Sequence, residues 1–208
     1  MPPIQITQKI LDFMRARGDK LFTAAGEVNI IAVEGMNLNG TLNTDAPDRF
    51  NDFIGALVFE NGKPRWLGAW VCTTEPGRHY TQKRLNPQGA ARIEFGQYSA
   101  WQVGIHNGDH EALIQTGGKL TVRRDRDNSM TRTNDPIDSG FFGINIHHGW
   151  NASLSAIGRT SAGCTVIPNA REFLHFMRLV KSEPRYRRNA KFVFTVAYLP
   201  GDKVLNGF

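Results

Sequence analysis

The chain has 208 residues, with 25 basic and 19 acidic side chains and a formal net charge of +6. This length predicts one domain, with a core large enough to fold without disulfides or a structural metal. A hydrophobic fraction of 40% and a charged fraction of 21% exclude a disordered or fibrous protein. No apolar run approaches the ~20 residues that a membrane-spanning helix needs, so we expect no membrane span.

The first predicted element is a helix, because apolar residues recur at helical spacing from Ile6 to Met14. Gly18 is a typical C-terminal cap for it, and we interpret residues 1–26 as an N-terminal helical extension. Short apolar runs bounded by turn residues then predict strands. These runs are residues 28–33, 53–59, 66–71, 91–95 and 120–122.

The second half of the chain continues this pattern. Residues 125–140 are rich in charged and turn-forming residues and predict an exposed loop, while 141–146 and 165–167 predict short strands. Asn169 is a candidate N-cap for a helix with one apolar face, and residues 192–199 predict a final strand. The fold class is therefore mostly β (α+β), with peripheral helices.

One segment contains the parts that a cysteine nucleophile needs. Such a nucleophile needs a thiol, a base to accept its proton, and amide N–H groups directed at the developing oxyanion. Cys164 supplies the thiol, and His148 or His147 supplies the base. The small residues Ala162 and Gly163 leave backbone amides open to a substrate carbonyl. The alternative is a buried structural cysteine near two histidines in a loop.

These residues resemble the signature of the L,D-transpeptidase catalytic domain family. The residues that carry the resemblance are His148-Gly149, Ile157-Gly158 and Ser161-x-Gly163-Cys164. The strong part of the match covers residues 141–168, and the rest agrees only in being rich in strands. The resemblance implies an L,D-transpeptidase-like mixed β-sandwich, as a single catalytic domain over residues 1–208.

The resemblance also implies an activity: a cysteine enzyme that acts on peptidoglycan stem peptides and needs no cofactor or metal. Cys164 would attack the carbonyl of a diamino-acid residue and form a thioester. His148 would be the general base, oriented by a backbone carbonyl near Gly149. The adjoining glycine and the family register favour His148, although His147 is close enough to serve.

Other roles at the site follow from the same resemblance. The backbone amides of Ala162, Gly163 and Cys164 would form the oxyanion hole. Ser161 matches a serine or threonine of the family and is expected to form hydrogen bonds within the turn. A substrate-binding role for His106 is open.

The chain departs from the family pattern at Ala162, where many members have histidine or lysine, and at residues 165–168, where cross-linking members have an Ile-Arg-Met-type run. The start of the sequence has no signal peptide pattern, so we expect synthesis in the cytoplasm and action on the wall after release or delivery. These features favour a lytic L,D-peptidase, like an endolysin or an antibacterial effector. The alternatives are a true L,D-transpeptidase that forms cross-links or exchanges D-amino acids, and a non-catalytic wall-binding module.

A zinc peptidase is the rival mechanism. His106, Asp109, His110 and Glu111, together with His147 or His148, are residue types that bind zinc. The spacing matches no known zinc motif, and a polar turn is the more economical interpretation.

A basic cluster near the C-terminus suggests a second binding surface. A solvated connection between the last helix and the last strand is the simpler interpretation, and anionic envelope polymers are the partner that the charge would fit. Nucleic acid is not expected, because no recognition module accompanies the charge. The cluster consists of Lys181, Arg185, Arg187, Arg188 and Lys191.

Overall fold

A computed structural model describes residues 1–207 and has a mostly β fold with peripheral helices, as predicted. The helices are α1 (Ile4–Arg17), α2 (Arg78–Gln82), α3 (Ala170–Val180), α4 (Pro184–Arg188) and α5 (Gly201–Asn206). The strands are β1 (Asn29–Glu34), β2 (Asp52–Glu60), β3 (Lys63–Cys72), β4 (Ala90–Ile93), β5 (Gly96–His106), β6 (His110–Gln115), β7 (Leu120–Asp125), β8 (Ile137–Gly140), β9 (Ile146–His148), β10 (Thr165–Ile167) and β11 (Phe194–Pro200). None of the helices within residues 1–207 is long and apolar enough to cross a membrane.

The strands form two sheets. The large sheet has eight strands in the order β10-β9-β6-β5-β11-β1-β2-β3, and the small sheet has three in the order β4-β7-β8. β1 pairs in parallel with β11, and β9 pairs in parallel with β10. The other paired strands are antiparallel.

The large sheet is covered on both faces, as the side-chain alternation of β1 makes clear. Ile31 and Val33 belong to a buried cluster that includes the apolar residues of α1. Ile30 and Ala32 belong to a larger cluster, which includes residues of the small sheet and of α3. The small sheet and α3 therefore pack on one face, and α1 packs on the other.

The predicted N-terminal helix is confirmed as α1. Gly18 takes a left-handed conformation, with φ of 82°, and its N–H donates to Arg15 O at 3.0 Å. This is the backbone pattern of a glycine C-cap. Ile10 and Met14 are fully buried in the cluster shared with the large sheet, so α1 contributes to the core of the domain.

The helix predicted after residue 168 is also confirmed. The side-chain oxygen of Asn169 accepts a hydrogen bond from Glu172 N at 3.0 Å, which caps the first turn of α3. Phe173 and Phe176 lie on the buried face of α3. The capped helix begins just after β10, the strand that follows Cys164.

The strand predicted at residues 141–146 is wrong. Residues 141–145 are irregular, and β9 begins only at Ile146. Gln115 Oε1 accepts hydrogen bonds from the amides of Phe142 and Ile144, at 2.9 and 3.1 Å. The Gln115 side chain thus accepts the hydrogen bonds that a neighbouring strand would otherwise accept from these amides.

The prediction of an exposed loop at residues 125–140 is wrong in part. Its last residues form β8, which pairs with β7 in the small sheet. Asp125 is fully buried, and its carboxylate accepts a hydrogen bond from Met130 N at 2.9 Å. The sequence pattern did not predict this strand, because the segment has few apolar residues.

Ion pairs buried between the two sheets join β1 of the large sheet to the small one. Arg132, which follows β7, donates from Nη2 to Glu34 Oε2 at 2.7 Å. Arg92 of β4 forms an ion pair with Glu75, and both side chains are almost completely buried. Removing one partner of such a pair leaves the other charge without compensation.

Asp52 of β2 extends this network toward the turn that follows β3. Its carboxylate accepts hydrogen bonds from Gly35 N at 2.9 Å and from Thr74 N at 2.7 Å. Burial, and then the nearby charge of Glu34, raises the pKa of Asp52 to about 8. Burial and the charge of Glu34 therefore favour the protonated form of Asp52, whereas the hydrogen bonds from Gly35 and Thr74 oppose it.

We predict that Arg92→Ala lowers the free energy of unfolding by about 3 kcal/mol, because the buried Glu75 carboxylate loses its direct ion pair and keeps only Arg132, whose guanidinium lies 3.9 Å away. Urea denaturation monitored by circular dichroism measures this change. The matched control is Arg65→Ala, which removes an arginine that pairs with Glu60 on the surface and should leave stability nearly unchanged. Equal effects of the two substitutions would contradict the structural role of the buried pair.

Candidate active site

A cleft of about 530 Å³ brings together the thiol and one of the predicted histidines. Cys164 and His147 both line it, together with His106 and Asn145. The irregular segment 141–145 and the turn before β10 form parts of its wall. These are the elements in which the sequence predicted the chemistry.

The thiol of Cys164 is held by the irregular segment. Asn145 N donates to the sulfur at 3.3 Å, and the sulfur lies 3.8 Å from Gly143 O. Burial raises the pKa of Cys164 to about 11, although the hydrogen bond from Asn145 opposes this shift. The sulfur is therefore a neutral thiol at pH 7.

The orientation of His147 is set by a backbone carbonyl. Its Nδ1 lies 2.8 Å from His148 O, and because a carbonyl only accepts hydrogen bonds, Nδ1 carries the proton. The lone pair is then on Nε2. Burial, and then the neighbouring His106, lowers the pKa of His147 to about 3. The ring is therefore neutral at physiological pH, with its free lone pair on Nε2.

His106 packs against this imidazole. The two rings are stacked, with centroids 4.0 Å apart and planes inclined by 14°. His106 is buried, and its Nδ1 lies 2.9 Å from Asn145 Nδ2. His106 therefore contacts His147 directly, and this stack fixes the plane of the His147 ring.

His148, the base favoured by the sequence, lies outside the cleft lining. Its Nδ1 accepts a hydrogen bond from Trp150 N at 3.1 Å, and its ring stacks on His110 with centroids 3.8 Å apart. His147 lines the cleft together with Asn145, whose backbone N contacts the sulfur. The structure thus places His147, in place of His148, in the cleft that contains Cys164.

The turn before Cys164 is held by Ser161. Its hydroxyl donates to Cys164 O at 2.8 Å and accepts from Gly163 N at 3.1 Å. The Gly163 amide, expected in the oxyanion hole, therefore already has a partner. Within residues 1–207, the amides of Ala162 and Cys164 have no hydrogen-bond acceptor, which leaves them for a substrate oxygen.

Gly149 contributes to the site through its backbone N–H and its lack of a side chain. Its N–H donates to Ile167 O at 2.8 Å and continues the pairing of β9 with β10. A Cβ atom at this position would lie 3.1 Å from Pro168 Cα. The glycine therefore permits close approach of two chain segments, and it is the carbonyl of His148 that orients the imidazole.

The residues of the zinc alternative are divided by the structure. Asp109, His110 and His148 bring one ligand atom each within 4.8 Å of one another and could hold a metal ion. Glu111 instead forms an ion pair with Lys181 at 2.7 Å. Asp109, His110, Glu111 and His148 do not line the cleft that contains Cys164, whereas His106 and His147 do. A metal at this cluster would be outside the cleft.

Sequence reasoning missed Asn145 as a site residue. Its backbone contacts the sulfur, its side-chain Nδ2 contacts His106, and its Oδ1 accepts from Gln115 N at 2.8 Å. The available signal was its spacing, because it lies two residues before His147 on a strand-like segment. Gln115 gave no such signal, since it lies far away in the sequence.

The basic cluster near α4 is partly neutralised. Lys181 pairs with Glu111, and Arg185 pairs with the buried Glu183 at 2.8 Å. These pairs remove two cations from the surface that was predicted to attract anionic polymers. The cluster members left exposed without an acidic partner among residues 1–207 are Arg187, Arg188 and Lys191.

Comparison with known proteins gives no relative: no protein-family model matches the chain, and no curated protein matches it. The resemblance to L,D-transpeptidases therefore stays a prediction that rests on the motif residues. The geometry of the cleft is a separate observation, and it does not depend on that resemblance.

We predict that alkylation of Cys164 by iodoacetamide accelerates about tenfold per pH unit between pH 7 and pH 10, because only the thiolate reacts and the pKa is raised to about 11. Mass spectrometry of the modified peptide measures the rate. Cys164→Ala is the control, since the remaining Cys72 is fully buried. A rate that is already constant between pH 6 and pH 8 would instead indicate a thiolate paired with an imidazolium.

We predict that Gly163→Ala lowers the free energy of unfolding by more than about 2 kcal/mol and changes the alkylation rate of Cys164. The backbone at Gly163 has φ of 128°, and an added Cβ would lie 2.5 Å from Ala91 O. The control is Gly158→Ala in the same loop, where φ is 56° and an added Cβ would meet nothing within 4 Å. That variant should lose about 1 kcal/mol and keep the alkylation rate. Denaturation curves that coincide for the two variants would contradict this prediction.

Proposed function

We propose that this protein is a cysteine enzyme that cuts peptidoglycan stem peptides through a thioester on Cys164. The observation that carries the proposal is the presence of a thiol and an oriented imidazole in one cleft. His147 donates from Nδ1 to a backbone carbonyl, which leaves the lone pair of Nε2 free to accept a proton. The motif resemblance supplies the substrate class.

The proposed reaction begins with attack on the carbonyl of a diamino-acid residue. Because both Cys164 and His147 are neutral at pH 7, the proton moves from sulfur to Nε2 as the S–C bond forms. The imidazolium then gives this proton to the departing amine as the C–N bond breaks. The product of this step is a thioester and a free amine.

Water completes the proposed cycle. His147 accepts a proton from the attacking water, the thioester C–S bond breaks, and the proton returns to the sulfur. The acid is released and the thiol is restored. The amides of Ala162 and Cys164 are the donors that support charge on the oxygen in both steps.

Support for cutting rather than joining comes from two departures in the sequence. Ala162 replaces the basic residue found there in many family members, and residues 165–168 lack an arginine. In the structure, residues 165–167 form the buried strand β10. An acceptor amine therefore has no charged contact from these positions, whereas water needs none.

Incubation with intact peptidoglycan sacculi, followed by mass spectrometry of the released muropeptides, tests the proposal. We predict shortened or uncoupled stem peptides with the wild type and none with Cys164→Ala. His147→Ala should reduce the rate by about 10²–10⁴-fold, which is the usual contribution of a positioned base. New cross-links or exchanged D-amino acids would move the protein to the transferase class.

His148→Ala is the matched control, because it removes the neighbouring imidazole and leaves the cleft lining intact. We expect it to keep activity within a few-fold of wild type. Loss in His148→Ala with retention in His147→Ala would reverse the assignment of the base. Activity that survives thiol alkylation and is lost with a chelator would instead identify a zinc peptidase. Unchanged sacculi with every variant would leave a wall-binding module.

A further inference from the structure

The charge of the cleft is unbalanced. Among its lining residues are two guanidinium groups, Arg124 and Arg159, and none of the lining residues within 1–207 is an aspartate or a glutamate. The remaining lining side chains are polar or apolar. A cleft with this composition attracts anionic rather than cationic ligands.

Arg124 does not supply the free charge. Its Nε and Nη2 donate to Asp138 Oδ2 at 3.0 and 2.9 Å, and its guanidinium lies 4.5 Å from the centroid of the Phe142 ring. The side chain is almost completely buried. An arginine held by a carboxylate and an aromatic ring is already neutralised and fixed in place.

Arg159 is the cation without a counter-ion. Its side chain is exposed, and within residues 1–207 its hydrogen-bonding contact is from Nε to His79 Nδ1 at 3.4 Å. An imidazole nitrogen that accepts this hydrogen bond carries no negative charge. The planar donor groups of Arg159 are thus free for a ligand.

The backbone beneath Arg159 is fixed on both sides. Gly158 N donates to Asp48 Oδ1 at 2.9 Å, and Ile157 N donates to Asp48 O at 3.0 Å. On the other side, the hydroxyl and the amide of Thr160 both donate to Ile157 O, at 2.7 and 3.0 Å. The loop that carries Arg159 is therefore fixed in position at the lining of the cleft.

We propose that Arg159 is a specificity-determining residue that binds a carboxylate of the substrate and selects peptides with a free carboxylate near the reacting carbonyl. The inference rests on the proposed function and names the recognition group of the same cleft. The guanidinium fork matches a carboxylate with two parallel hydrogen bonds. It supplies a cation to a cleft where Ala162 supplies none.

Two carboxylates of a stem peptide have the required chemistry: the C-terminal one and the side-chain one of a diamino acid. Three synthetic peptides distinguish them. The first is a stem tetrapeptide with a free C-terminal D-alanine, the second is its C-terminal amide, and the third carries lysine in place of the carboxylated diamino acid. Arg159 binds the carboxylate whose removal from the peptide abolishes the effect of substituting Arg159.

Kinetics of the wild type, Arg159→Gln and Arg159→Lys on these peptides give the first test. We expect Arg159→Gln to raise KM on the order of tenfold to a hundredfold for the tetrapeptide, because a charge-assisted pair is lost. KM for the peptide that lacks the relevant carboxylate should change less than about twofold. Arg159→Lys should recover part of the affinity, since it restores charge without the fork. Arg171→Gln is the matched control, an exposed arginine of α3 outside the cleft.

Calorimetric binding of the same peptides to Cys164→Ala, with and without Arg159→Gln, gives a second test that does not depend on turnover. Weaker binding, in the double variant, of the two peptides that keep the relevant carboxylate, with a reduced dependence on salt and unchanged binding of the third peptide, supports the proposal. Equal losses for all three peptides, an equal effect of Arg171→Gln, or no binding of any peptide would overturn it. Absence of turnover with selective binding intact would instead count against the proposed reaction and leave the carboxylate contact standing.

Discussion

Charge buried between the sheets is the constraint on which the rest of this structure depends. Arg92 and Arg132 reach from the small sheet and its following loop to carboxylates of the large sheet and of the turn after β3. Charges removed from water are costly unless they are paired, so the two sheets are held in an arrangement that brings each of these arginines to a carboxylate. The carboxylate that Arg92 pairs with, Glu75, lies in the turn that also contacts the active site.

This arrangement extends to the turn that carries Cys164 through backbone hydrogen bonds. Thr73 exchanges two hydrogen bonds of 3.0 Å with Val166 of β10, and Gly77 N donates to Ser161 O at 2.9 Å. Ser161 in turn holds the carbonyl of Cys164. The position of the thiol is therefore coupled to the ion pairs of the core, although the two are separate in function.

The sequence predicted the elements whose signals are local. Periodicity and caps located α1 and α3, and the spacing around Cys164 located the cleft residues. It failed where a distant side chain decides the local structure, as where Gln115 binds the amides of 141–145 and displaces β9 toward its C-terminus. Neither an adjoining glycine nor a family register could reveal that His147, and not His148, lines the cleft that contains Cys164. The long strand β5 was missed because its polar and apolar residues do not alternate cleanly.

The neutral state of the thiol has a consequence for the lifetime of the protein. Oxidants such as peroxide attack the thiolate, and susceptibility to sulfenic acid formation follows the thiolate fraction. Both cysteines are free, and burial raises the pKa of each. A buried thiol that stays protonated reacts slowly with oxidants, whereas a cysteine with a lowered pKa would be oxidised under the same conditions. The burial that slows the alkylation of Cys164 therefore also protects it from oxidation.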